Sequence, residues 1–97
     1  MYMRVGRLRS TDPAKFDPAA FSQLMGDVVA TIKQLPGCQS VVIGGNRTTG
    51  EAWVVGTYDT EGHAGWSPAE VLGDLPSRLH ALGGLADPPE IVEVIAS

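Results

Sequence analysis

The middle of this chain contains two neighbouring apolar segments, and neither has a side suited to water. They span residues 38–44 and 51–58 and are separated by a polar turn. A hairpin with one solvated face should alternate apolar and polar residues. Here both sets of alternate positions are apolar, so both faces of the hairpin need to be covered. A chain of 97 residues can cover one of them by itself.

The alternation along the two segments predicts which residues share a face. We assign one set to a bare face of the sheet and expect it to form a homodimer interface: Val41, Ile43, Trp53 and Val55. The opposite set is expected to face the helices: Val42, Val54, Gly56 and Tyr58. An exposed apolar face of this size is more than a monomer usually tolerates.

The first half of the chain predicts a strand followed by a helix. Residues 2–9 are expected to form the strand. Asp17 can accept hydrogen bonds from the first free amides of a helix, and Pro18 suits its first position. Apolar residues then recur at three- and four-residue spacing until Pro36 and Gly37 end the helix.

The second half predicts a broken helical region and a last strand. Ser67 and Glu70 have the spacing of a capping box, and Pro76 predicts a kink or two short helices. Residues 91–95 are expected to form the strand. The resulting βαββαβ order favours a ferredoxin-like α+β fold, with a four-stranded antiparallel sheet and two helices on one face. We expect a single domain over residues 1–97.

Composition excludes several classes of function. A net charge of −4 argues against nucleic acid as the main partner. No apolar stretch is long enough to span a membrane, and a single cysteine with no export signal indicates a cytoplasmic protein. The arginines of the first strand are expected to pair with acids of the last strand. His63 and His80 lack metal-ligand spacing, so we expect no metal site.

Four segments resemble one known family over essentially the whole chain. They are residues 35–38 after the first helix, 46–51 at the hairpin turn, 58–61 after the third strand, and 88–94 at the end. Together these segments resemble the antibiotic biosynthesis monooxygenase-like family of dimeric α+β barrel proteins. The resemblance implies a dimer of two facing sheets, with a pocket between helices and sheet in each subunit.

The known activities of that family suggest two functions for this chain, and its residues differ from the pattern that each activity requires. Some members oxidise polycyclic phenols without metal or flavin, and others degrade haem. The phenol-oxidising type uses an Asn on the third strand, where this chain has Val54 or Val55. A Trp common at the end of that strand is replaced by Tyr58. Trp66 and His80 do not have the spacing of the haem-degrading type, so haem degradation is not expected.

The candidate site residues are Tyr58, His63, Trp66 and Val54, which we assign to a substrate pocket or its edge. Tyr58 could orient or protonate a phenolic substrate, and ordinary core packing is its alternative role. His63 is a candidate acid or base, although a solvated loop histidine is the simpler interpretation. Trp66 could stack on a planar ligand, or it could pack against the helix start.

Three functions remain open from the sequence. The first is a cofactor-independent monooxygenase acting on a small aromatic or polyketide-like molecule. The second is a non-catalytic homodimer that binds a small molecule or is associated with stress, which the missing polar residue on the third strand favours. The third is a ferredoxin-like regulatory domain with a ligand at the sheet edge.

Overall fold

A computed structural model describes all 97 residues of the chain. Its strands are β1 (Tyr2–Ser10), β2 (Cys38–Asn46), β3 (Glu51–Tyr58), β4 (Gly84–Ala86) and β5 (Glu90–Glu93). Its helices are α1 (Pro18–Lys33), α2 (Glu61–Ala64), α3 (Pro68–Val71) and α4 (Leu75–Ala81), with a 3₁₀ turn at Pro13–Lys15. The predicted ferredoxin-like α+β architecture is confirmed.

The sheet is antiparallel, with β2, β3 and β1 in that order and both β4 and β5 paired with the far side of β1. The last strand predicted at residues 91–95 is observed as β5, and the short strand β4 before it was not expected. Pro88 and Pro89 lie at the break. Proline has no amide hydrogen to donate, so the ladder cannot run through them. Asp87 still donates its amide to the Arg7 carbonyl at 2.9 Å.

The helices follow the expected signals, with two differences. Asp17 caps α1 by accepting from the amides of Ala19 and Ala20 at 3.0 and 3.3 Å. The region around Pro76 divides into α3 and α4, as predicted. The capping box is wrong, because the Ser67 side chain makes no capping hydrogen bond. The single turn α2 was not expected; the Thr60 hydroxyl accepts from its third amide at 3.1 Å.

All the helices pack on one face of the sheet, where the buried apolar side chains form two clusters. The larger cluster contains Leu8, Phe21, Leu24, Met25, Ala52, Leu75 and Leu79. The smaller contains Ile32, Val41, Tyr58 and Ala64. No helix is long and apolar enough to cross a membrane.

The register of the hairpin corrects half of the predicted bare face. Asn46 pairs with Glu51 across a four-residue turn, so odd positions of β2 lie opposite even positions of β3. Val41 therefore shares a face with Gly56, and Ile43 with Val54. The assignment of Val41 and Ile43 to the bare face is wrong, because it assumed equal parity in the two strands. Both pack against the helix-side core.

The uncovered face is nevertheless apolar. Trp53 and Val55 lie on it, as predicted, and Val42 lies beside them rather than beneath the helices. Trp53 is 43% exposed and Val42 64% exposed. The Arg7 guanidinium lies over the Trp53 ring, 5.4 Å from its centre, and so covers part of the indole. The sheet thus has one face packed by helices and one with large apolar side chains in water.

The cap of α1 gives a direct test of the fold. We expect Asp17→Ala to lower the free energy of unfolding by about 1 kcal/mol, because two helix amides lose their acceptor. Asp74→Ala is the matched control, since Asp74 precedes α4 without making a capping hydrogen bond. Urea unfolding at one protein concentration measures both. Equal losses from the two variants would contradict this account of the cap.

Candidate functional site

A cavity of about 500 Å³ lies between the helices and the sheet. Its walls are mostly aliphatic side chains from α1, α3 and α4, and its mouth is bordered by the segment that joins β4 to β5. Residues important for its chemistry are Arg4, Val54, Tyr58, Trp66 and, at the rim, His80. Three predicted pocket residues, Tyr58, Trp66 and Val54, therefore do line one cavity.

Glycines in two adjacent strands make room for the floor of this cavity. Gly6 of β1 lies opposite Val54 of β3. A Cβ at Gly6 would make only ordinary contacts with Val54, at 3.9 Å, and Gly6 lines the cavity. Gly56 is different, because a Cβ there would lie 2.7 Å from the Tyr58 hydroxyl. The absence of a side chain at Gly56 lets the Tyr58 ring lie flat along the sheet.

Arg4 is the buried charged residue of the chain, with 8% of its surface exposed. Its Nη1 donates to the carbonyl oxygens of Ala64 and Trp66 at 3.0 and 2.7 Å. The guanidinium carbon also lies 3.7 Å from the centre of the Trp66 ring, a close cation–π contact. Burial lowers the pKa of Arg4, but guanidinium is basic enough to remain protonated.

The predicted pairing of Arg4 with an acid of the last strand is wrong, because Arg4 forms no ion pair. Arg9 does pair with Asp87, at 2.8 Å. Arg4 lies at an even position of β1, on the face that also holds Leu8, and so points towards the helices. The alternation of β1 carried this information, since an apolar Leu8 on the core face places Arg4 on it too.

Tyr58 and Trp66 are joined by a hydrogen bond. The indole Nε1 of Trp66 donates to the Tyr58 hydroxyl oxygen at 2.9 Å. Tyr58 is 1% exposed, and burial raises the pKa of its phenol, an effect that the Trp66 hydrogen bond opposes. The phenol is therefore protonated at neutral pH. Because its oxygen accepts from Trp66, its own hydrogen remains free to donate.

His63 does not lie in the cavity, which corrects its assignment as a pocket acid or base. It is exposed on α2, and its Nδ1 lies 2.6 Å from the Asp59 carboxylate. That hydrogen bond holds the pKa of Asp59 below its usual range. The chain passes from the end of β3 into α2 within a few residues, and this turn places the His63 side chain outside the cavity, beside Gly37. A Cβ at Gly37 would collide with both side chains of the pair.

The remaining ionisable groups lie at the border of the cavity. His80 is exposed on α4 at the rim. Asp87 lies at the mouth, where the Nε and Nη2 of Arg9 both donate to its Oδ1 at 3.1 and 2.8 Å. No group of three or more His, Cys, Asp or Glu side chains could hold a metal ion. The interior therefore combines aliphatic walls with one cation and one phenol.

The sequence matches no protein-family model and no curated protein. Solved structures are similar in fold. A proposed antibiotic biosynthesis monooxygenase from Deinococcus radiodurans superposes with a TM-score of 0.72 at 16% identity, covering 100% of this chain and 95% of that one. SnoaB, a cofactor-independent oxygenase from Streptomyces nogalater, gives 0.67 at 12% identity, over 99% and 94% of the two chains.

A third similar structure is a proposed antibiotic biosynthesis monooxygenase from Caulobacter crescentus CB15. Its TM-score is 0.58 at 22% identity, over 98% of this chain and 91% of that one. The chain thus has the fold of the antibiotic biosynthesis monooxygenase-like proteins, along its whole length. The resemblance inferred from short sequence segments is confirmed at the level of fold.

The close approach of Gly56 to Tyr58 gives a second prediction. We expect Gly56→Ala to destabilise the protein by about 1–3 kcal/mol, because the new methyl overlaps the buried Tyr58 hydroxyl. Gly26→Ala is the control, since Gly26 is exposed on α1 and a Cβ there would meet nothing within 4 Å. Chemical denaturation compares the two. A Gly56→Ala protein as stable as the wild type would refute the packing described here.

Proposed function

We propose that this protein is a cofactor-independent monooxygenase acting on a small aromatic or polyketide-like molecule. One observation carries the proposal: an apolar cavity of about 500 Å³ contains a buried guanidinium beside a protonated phenol. Such a site favours a planar molecule that becomes an anion within it. The fold shared with SnoaB, itself described as a cofactor-independent oxygenase, supports the same class of reaction.

In the first step the substrate loses a proton to a water molecule and becomes an enolate or phenolate. The free O–H of Tyr58 donates to the oxygen that becomes negative, and the positive charge of Arg4 in the same cavity favours an anionic substrate, which lowers the substrate's own pKa. This stabilisation is stronger in an apolar cavity than in water. Trp66 holds both groups, since it stacks on Arg4 and donates to Tyr58.

In the second step the substrate carbanion supplies the electrons that reduce O₂. Its carbon forms a bond to one oxygen, and the resulting peroxide anion takes up a proton. The O–O bond then breaks as the carbon loses its remaining hydrogen as a proton, leaving a carbonyl and one molecule of water. Aliphatic walls exclude other water from the reactive carbanion.

A non-catalytic binding protein is the second candidate. Val54 lines the cavity on the strand where phenol-oxidising relatives are expected to have a polar residue. His63, the expected acid or base, lies outside it. A cavity that binds a planar molecule without oxidising it would need only the features that Arg4 and the walls supply.

The proposed working form is a cytoplasmic homodimer in which the two bare sheet faces meet. The support is the apolar face on which Val42, Trp53 and Val55 lie. Packing this face against a second copy would remove its large side chains from water.

This dimer predicts a mass in solution of twice 10.2 kDa. We expect the wild type to sediment as a dimer at micromolar concentration. Trp53→Glu should dissociate it, because a carboxylate would be buried in an apolar interface. Ala30→Glu, on the exposed side of α1, is the control and should leave the dimer intact. A folded wild-type monomer at this concentration would refute the proposal.

Oxygen uptake with a hydroxylated anthrone tests the reaction. The wild type should consume one O₂ per substrate well above the enzyme-free rate. Tyr58→Phe should lower kcat by roughly 10²- to 10³-fold, the usual effect of losing one donor to a developing oxyanion. His63→Gln should retain the wild-type rate, because His63 lies outside the cavity. A rate equal to that of buffer alone would favour the binding protein instead.

A further inference from the structure

The positive charge of Arg4 has no acidic partner in the protein. Four ion pairs occur in the chain, Arg9–Asp87, Lys15–Asp12, His63–Asp59 and Arg78–Asp27. Arg4 belongs to none of them, although it is far more buried than the arginines that do pair. Two carbonyl oxygens and an indole ring offset part of the cost of burying it, but they carry no net charge.

One edge of the Arg4 guanidinium is also free of protein contacts. Both of its hydrogen bonds come from Nη1, which leaves the edge formed by Nε and Nη2 without a protein acceptor. Neither nitrogen is sealed inside the protein, and Arg4 lines the cavity. Arg9 uses this same edge to hold the Asp87 carboxylate. The chain therefore contains one occupied and one free copy of the same carboxylate-binding edge.

The surroundings of the free edge define what could bind there. The acid closest to the cavity, Asp87, is held at the mouth by Arg9. Aliphatic side chains of Leu24, Val28, Leu72 and Leu75 form much of the wall. A small hydrated anion would lose water without gaining apolar contacts. An apolar body that carries one carboxylate would satisfy both the walls and the cation.

We propose that Arg4 binds the carboxylate of a planar aromatic acid, side-on through Nε and Nη2, while the aromatic body occupies the cavity above Gly6. This inference deepens the proposed function by naming an acidic class of substrate. It gives Arg4 a role in selecting substrates before any reaction occurs. The Tyr58 hydroxyl is left to contact a second oxygen on the aromatic body.

Calorimetric titration with 2-naphthoate and 2-naphthamide tests this selection, because the two probes have nearly the same shape and differ in charge. The wild-type protein should bind 2-naphthoate about 10- to 100-fold more tightly than the amide, as expected for hydrogen bonds to a charged group. Arg4→Gln should reduce this ratio to about one. Arg47→Gln removes an exposed charge from the hairpin turn and should leave the ratio unchanged.

A second variant locates the site without altering the charge. Gly6→Leu should abolish binding of both probes, because Gly6 lines the cavity and a leucine side chain there would occupy part of its volume. Circular dichroism establishes that each variant is folded. If Arg4→Gln does not fold, the ratio of the two probe affinities in the wild type and the loss of binding in Gly6→Leu still test the inference.

Three results would overturn the inference: equal wild-type affinities for the two probes, an unchanged ratio in folded Arg4→Gln, or displacement of 2-naphthoate by an equal concentration of acetate. The titrations involve no turnover, so they are independent of oxygen uptake. Selective binding without oxidation would uphold the acid site and reject the monooxygenase. Oxidation of a neutral anthrone without selective binding would do the reverse.

Discussion

The arrangement of the site depends on how one arginine is accommodated within the fold. Arg4 projects from the central part of β1 and bonds to the carbonyls of Ala64 and Trp66, sixty or more positions later in the chain. Those bonds fix the segment after α2 against the sheet. They also bring the Trp66 indole within reach of the Tyr58 hydroxyl. The cation, the indole and the phenol therefore form one connected unit, and changing any of them would alter the position of the other two.

Local signals in the sequence were sufficient for most of the elements but not for the sheet register. Asp17 and Pro18 specify the start of α1 through groups a few residues apart, so the sequence alone determines it. The face of Val41 and Ile43 depends instead on how many residues the hairpin turn leaves unpaired. A change of one residue in that number inverts every side chain of β2 relative to β3. Apolar residues at both sets of alternate positions left no clear alternation to indicate which set faces the helices.

Part of the candidate site could also be predicted from local signals in the sequence. Tyr58 and Trp66 were recognisable because each stands next to an element boundary. The alternation of β1 places Arg4 on the core face, but it does not identify the groups that accept its hydrogen bonds. Its burial depends on contacts with residues 64 and 66, and no pattern within β1 indicates those partners. His63 differs from Arg4 in the opposite way. It has suitable chemistry and lies close in sequence to Tyr58 and Trp66, but the single turn α2 directs its side chain away from the cavity.

The split edge of the sheet has a consequence for how a molecule binds. Pro88 and Pro89 interrupt the pairing with β1, and together with Asp87 they line the cavity. Each proline has a fixed φ angle, so this segment would lose little conformational entropy if a ligand bound beside it. A flexible loop in the same place would have to become ordered on each binding event, at a cost in affinity. The connection between β4 and β5 is therefore a stiff part of the cavity wall, and its shape is largely set before any molecule binds.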